Sequence, residues 1–196
     1  FVNLSGKEHT GVTFGTFHAV FFMMLKYAYH LDAGNIVTEE KRFQLMREII
    51  RHYNLEYQDE NEFLGELFGE ISQVKNARMK LEHFYSAVCG AEVFRKIFHD
   101  YAKQLAKHRL MDFDDMLTYT YELLSQREDS VCGGQKKFAY ILVDEFQDIN
   151  QIQYDIVRML AKPLNNLFAV GDDDQAIYHF RGSRPEIMLG FEQDFP

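Results

Sequence analysis

Apolar residues recur at helical spacing through the first two-thirds of the chain. Thr16 precedes Val20, Phe21, Met24, Leu25 and Ala28, so a helix capped by Thr16 is expected, apolar over so wide a face that it should be buried. Thr38 opens a second, with Phe43, Met46, Ile49, Ile50 and Tyr53 on one stripe. Asp59 with Glu62 reads as a capping box ahead of Phe63, Leu64, Leu67, Phe68, Ile71 and Val74. A fourth helix carries Phe94, Ile97, Phe98, Tyr101 and Leu105, and a fifth runs from Asp112 and Asp115 through Met116, Leu117 and Leu124.

The pattern changes near Cys132-Gly133-Gly134. Residues 138–143 (FAYILV) form a continuous apolar run, too short for a helix and suited to a fully buried strand. Asp148 and Gln151 form a capping-box pattern before a stripe of Ile152, Ile156, Val157 and Leu160. Pro163 ends that helix, and residues 167–170 (LFAV) read as a second buried strand. Strand, helix, strand predicts a parallel βαβ unit with a right-handed crossover. The expected class is α/β, with a long helical stretch ahead of it in sequence.

Composition narrows the class. The 196 residues are 46% hydrophobic and 26% charged, an ordinary globular balance. Cys89 and Cys132 are far apart and in no metal-ligand spacing, which favours a reducing compartment over a disulfide framework. No apolar run approaches the ~20 residues of a membrane span, so a soluble cytoplasmic protein is expected. Phe1 opens the chain in place of Met, which suggests a piece of a longer protein. The net charge of −9 speaks against a generally basic nucleic-acid surface. Its distribution is more informative: residues 111–196 carry 16 acidic against 7 basic side chains, and the rest of the chain balances. The excess falls in short clusters, which suggests a cation site as well as an acidic surface.

Both expected strands end in these clusters. The first runs into Asp144-Glu145-Phe146-Gln147-Asp148 and the second into Gly171-Asp172-Asp173-Asp174-Gln175. The carboxyl ends of parallel strands share one edge, where ligands bind, so Asp144, Glu145 and Gln175 should meet on one lip. An Asp at a strand end suits Mg²⁺ held through water. A neighbouring Glu can orient or deprotonate an attacking water, and a Gln can sense a terminal phosphate. Asp148 is read as a helix cap, and Asp172, Asp173 and Asp174 mostly as loop and cap chemistry. Asp144 and Glu145 are read as functional, because paired carboxylates after an apolar strand are costly unless used.

Several motifs together carry a family resemblance. ILVDEFQD resembles the Walker B motif of the UvrD/Rep family of superfamily 1 DNA helicases, and VGDDDQAIYHFRGS (170–183) is similar to that family's third motif. GTFHAV (15–20) resembles the motif before the helical insertion of the first motor domain. MDFDDML (111–117) and the terminal FEQDFP fit the same order. The resemblance implies a partial RecA-like P-loop NTPase core with a large all-helical insertion, and ATP and Mg²⁺ as cofactors. It gives Asp144 and Glu145 the metal, Glu145 the attacking water, and Gln175 the γ-phosphate, with Arg181 between the nucleotide and DNA sites. Tyr178 and Phe180 would stack on bases of single-stranded DNA, and Thr16, Phe17 and His18 would touch its backbone. Where the family often has Trp, this chain has Phe180, which keeps a π-face and loses the indole donor. Taken alone, the aromatics would read as core residues and His18 as a structural histidine.

The phosphate-binding loop, Gly-Lys-[Ser/Thr], is absent. Gly6-Lys7 is the only Gly-Lys, with Phe1 at the first Gly position and Glu8 at the Ser/Thr position. The expectation is an internal piece of an ATP-dependent helicase, moving 3′ to 5′ by resemblance and inactive by itself. Residues 1–30 (a strand and the GTFH helix) and 111–196 would belong to the motor domain, and 31–110 to the insertion. Its partners would be single-stranded and duplex DNA and the rest of the helicase chain, with no membrane. Lys75, Arg78 and Lys80, or Lys103, Lys107 and Arg109, could face duplex phosphates, but each cluster taken alone is read first as a solvated helix face. Two other classes stay open: a Mg²⁺-dependent phosphatase or nuclease built on the Asp cluster, and a degenerate non-catalytic module binding DNA or protein.

Overall fold

The computed structural model describes residues 6, 11–172, 174 and 185–195. Five helices form as the apolar spacing predicts: α1 (Phe17–Tyr29), α2 (Glu39–Ile50), α3 (Glu60–Asn76), α4 (Ala91–Lys107) and α5 (Phe113–Gln126). Thr16 Oγ1 accepts from Ala19 N at 3.3 Å and Thr38 Oγ1 from Lys41 N at 3.3 Å, so both expected caps are made. Asp59 Oδ1 accepts from the N–H groups of both Asn61 and Glu62. Asp112 and Asp115 form a reciprocal capping box at the start of α5. The wide apolar face of α1 is buried only at Phe21 and Leu25, and Tyr27 is 90% exposed. Residues 11–16 run as a loop, and the rest of the stretch ahead of the GTFH helix, where a strand was expected within residues 1–30, lies outside the described residues except for Gly6.

The α/β part departs more from expectation. A helix unmarked by the apolar pattern, α6 (Glu128–Lys137), spans the Gly pair. A Cβ on Gly134 would lie 2.5 Å from Leu160 Cδ2, so glycine permits the close approach. Strand β1 is only Ile141–Val143, and β2 is Leu167–Ala169. They pair in parallel, Ile141 with Leu167 and Val143 with Ala169, and the helix between them is α7 (Gln151–Ala161). Neither strand is fully buried: Leu142 is 74% exposed and its partner Phe168 61%. Asp148 is not the cap of α7. It closes a single 3₁₀ turn, Phe146–Asp148, and the cap is Asn150, in a reciprocal box with Gln153. Short helices α8 (Pro185–Leu189) and α9 (Phe191–Asp194) follow. Asp194 accepts from Tyr154 Oη at 2.6 Å and pairs with Arg158 at 3.3 Å, holding α9 against α7.

The apolar side chains sort into separate clusters. Every member of the largest, from Val37 to Leu110, lies in the segment carrying α2, α3 and α4. The other three are drawn wholly from residues outside that segment. The two ends of the segment meet in a parallel bridge, with Val37 N donating to Met111 O at 2.9 Å and Met111 N to Asn35 O at 2.8 Å. The chain thus leaves and returns at one point, with a core of its own in between.

A buried ion cluster spans the same junction. Lys75, at the end of α3, donates to both oxygens of Asp112 at 3.0 and 2.9 Å and to Asp115 Oδ1 at 2.6 Å. Ser72 and Asn76 donate to Asp114 Oδ1 at 3.0 and 2.8 Å. The burial of Lys75 would lower its pKa, but the two facing carboxylates raise it. Two basic residues weighed as phosphate contacts therefore have other partners. Lys75 is buried in this cluster, and Arg78 pairs with Asp155 at 2.8 Å while lying 3.7 Å from the centre of the Tyr121 ring.

Candidate active site at the carboxyl edge of the sheet

The sheet positions the acidic tips through backbone hydrogen bonds. Val170 N donates to Val143 O at 2.9 Å and Phe146 N to Val170 O at 2.8 Å, so the two chains stay joined beyond the strands. Asp144 and Glu145 leave β1 at this edge, and Gly171 and Asp172 leave β2 beside them. Asp144 Oδ1 accepts from Glu145 N at 3.0 Å, which orients its carboxylate. Glu145 has left-handed backbone (φ 52°), a region a non-glycine residue seldom occupies. Both carboxylates are exposed and line a groove of about 910 Å³. Thr16 and Phe17 line the same groove, so the start of α1 and the end of β1 share one cleft.

His18 stands apart from that groove, half-buried, with its ring edge-on to Phe113 at 5.5 Å. Phe17 is half-buried, its ring 5.6 Å from Phe21. The expected meeting of Gln175 with Asp144 and Glu145 lies outside the described residues, as do Tyr178, Phe180, Arg181 and Asp173. Asp172 is exposed, and its Oδ1 accepts from Asp174 N at 3.1 Å, the loop chemistry expected of it.

Gln147 was not singled out from the sequence. It is only 2% exposed, and its amide joins the two strand ends: Nε2 donates to Glu145 Oε2 at 2.7 Å and Oε1 accepts from Asp172 N at 3.0 Å. The available signal was a lone amide among the carboxylates of DEFQD, a residue able to donate to one neighbour and accept from another. Phe113, 57% exposed beside His18, presents a large apolar ring at the surface.

The donor set suits a hydrated Mg²⁺, which binds through one or two carboxylates and keeps most of its waters. Among the described residues no group of three or more His, Cys, Asp or Glu forms a dedicated metal cage. None of the described helices is long and apolar enough to cross a membrane.

A parallel strand pair with carboxylates at one strand end, joined to a helical segment with its own core, is a partial α/β domain of a kind that many families share. The comparisons with known proteins specify which. The model of the UvrD/REP helicase N-terminal domain matches residues 2–196. YjcD of Bacillus subtilis is 37% identical over 191 residues, covering 93% of this chain and 24% of its own. The ATP-dependent DNA helicase PcrA of Staphylococcus epidermidis is 30% identical over 210 residues (99% and 27%). DNA helicase II of Salmonella typhimurium is 32% identical over 200 residues (98% and 27%). The chain belongs to the UvrD/REP helicase family and matches its N-terminal domain. It spans about a quarter of the length of the curated relatives it matches.

Proposed function

We propose that this chain supplies the water-activating half of an ATPase site in a single-strand DNA motor, together with the motor's helical insertion. The supporting observation is the end of β1, where Asp144 and Glu145 emerge side by side into a groove at the carboxyl edge of a parallel sheet. The family relatives named PcrA and DNA helicase II point to ATP and DNA as the ligands. The sheet belongs to a RecA-like core, and residues 31–110 form the insertion. The apolar cluster confined to residues 37–110 and the junction at Ile36 and Met111 support that division, with Leu31 and Ile36 packing on the motor side of the junction.

Asp144, with Glu145 beside it, would hold a hydrated Mg²⁺, and the chemistry the ion would supply there is neutralisation of phosphate charge. Glu145 accepts the proton of the attacking water. Gln175 contacts the γ-phosphate, and Arg181 lies between the nucleotide and the DNA. Tyr178 and Phe180 stack on unpaired bases, while Thr16, Phe17 and His18 line the strand's path. The exposed ring of Phe113 next to His18 extends that surface. Without a Gly-Lys-[Ser/Thr] loop this chain does not turn over ATP by itself.

The test is Glu145→Gln in the full-length protein. Removing a general base is expected to lower ATP turnover ~10²–10⁴-fold while nucleotide binding is retained. Undiminished turnover would remove Glu145 from catalysis. Cleavage of phosphoesters by this chain with Mg²⁺ alone would favour a phosphatase or nuclease instead.

A further inference from the structure

We propose that Gln147 is a positioning residue: it holds the Glu145 carboxylate in place and ties it to the chain leaving β2. The proposal rests on the catalytic role given to Glu145 above. Glu145 is exposed and lines the groove, so its own burial does not fix the carboxylate. Gln147 does so from below. Its amide is buried, and each end has one specific partner. A carboxylate only accepts and a backbone N–H only donates, so the amide can satisfy both in a single orientation.

The seat for this amide is built into the chain. A Cβ on Gly171 would lie 2.6 Å from Gln147 Oε1 and 3.1 Å from the backbone nitrogens of Phe146 and Gln147. Glycine at 171 therefore lets the β2 end close on Gln147. The consequence is a rigid link, Glu145 to Gln147 to Asp172, between the water-activating carboxylate and the segment that continues to Gln175.

Two variants separate positioning from mere loop support. Gln147→Met has similar volume and neither hydrogen bond. Gln147→Glu keeps an acceptor for Asp172 N–H but sets a carboxylate against Glu145. In the full-length protein, with ATP and single-stranded DNA, both are expected to lower kcat ~10–100-fold, the range of one lost hydrogen bond to a charged group. KM for ATP should stay close to the wild-type value, since the loss falls on the chemical step. Adding Gln147→Met to Glu145→Gln should cost little more, because the two act as a unit. Wild-type kcat in Gln147→Glu would show that only the Asp172 contact matters and overturn the proposal. So would a rise in KM at constant kcat, or full additivity with Glu145→Gln. If Glu145→Gln itself turns over normally, the catalytic reading of Glu145 fails with it. If Glu145→Gln is inactive and the Gln147 variants are normal, only the positioning role falls.

Discussion

Replacing Lys75 by Met tests whether the ion cluster between α3 and α5 holds the helical segment to the rest of the chain. The Lys75, Asp112 and Asp115 side chains are 8%, 4% and 9% exposed, so water screens them little. At an effective dielectric near 20, each contact at about 3 Å carries roughly 5 kcal/mol of attraction, against several kcal/mol for burying the ammonium. Met fills the space and removes the charge, leaving two carboxylates facing each other. Breaking a buried pair in this way costs ~3–5 kcal/mol, which for a chain of this size lowers Tm by about 6–20 °C.

The loss should depend on pH, and the sign follows from the two carboxyls. Burial pushes Asp115 up to about 6 despite Lys75, so it binds its proton more tightly folded than unfolded. Its contribution to stability is fully present in acid and is lost as pH rises through about 6. For Asp112 burial also acts upward, but the charge and hydrogen bonds of Lys75 outweigh it and hold the carboxyl below its usual value. Its contribution is present near neutrality and is lost on acidification. Without Lys75 both carboxyls move up, and protonation relieves the repulsion. Urea unfolding of the chain followed by circular dichroism should show the full deficit at pH 8 and a much smaller one at pH 5. Adding Asp115→Asn should recover most of the loss at pH 8. A deficit under ~1 kcal/mol at pH 8, the scale of an exposed pair, or one equal at both pH values, would refute the reasoning.

Asn150→Ala removes the cap of α7 and should cost ~1 kcal/mol in the same unfolding assay. Asp148→Ala should stay within ~0.5 kcal/mol, as for an ordinary exposed position; the reverse order would return the cap to Asp148. Arg78→Ala loses the Asp155 pair and the Tyr121 contact and should cost about 1 kcal/mol. No measurable change in Arg78→Ala would mean that the side chain is solvated, as the basic clusters were first read.

The helical part was readable because its information is local. Thr16, Thr38, Asp59 and Asp112 each cap the helix that follows within three residues, and the apolar spacing behind each marks its buried stripe. The misreadings have non-local causes. Asp148-x-x-Gln151 and Asn150-x-x-Gln153 have the same cap pattern, and the choice between them was made by the 3₁₀ turn that buries Phe146 and Gln147. Residues 138–143 looked like a buried strand by apolarity alone. The burial of a strand depends on what packs on each face, and here one face, with Leu142 and Phe168, is open. The α6 helix has no apolar stripe to announce it, and its packing depends on Gly134 admitting Leu160.

The acidic clusters show where reading residue types stops being enough. From the sequence, DEFQD reads as chemistry at Asp144 and Glu145 and MDFDDML as a helix start at Asp112 and Asp115, yet both are runs of carboxylates beside a Phe. The partner decides between them. In MDFDDML each Asp has its donors inside the protein: Lys75 for Asp112 and Asp115, Ser72 and Asn76 for Asp114. Those carboxylates are spent on joining the helical segment to α5, where a metal or a water could gain little from them. In DEFQD, Asp144 and Glu145 face a groove, and their described donors are one backbone N–H and one buried amide, both of which orient a carboxylate without neutralising it. A carboxylate oriented without a cationic partner keeps its lone pairs for a metal ion or a water, which supports the proposal of chemistry at the end of β1, whereas the Asp residues at the start of α5 form a joint.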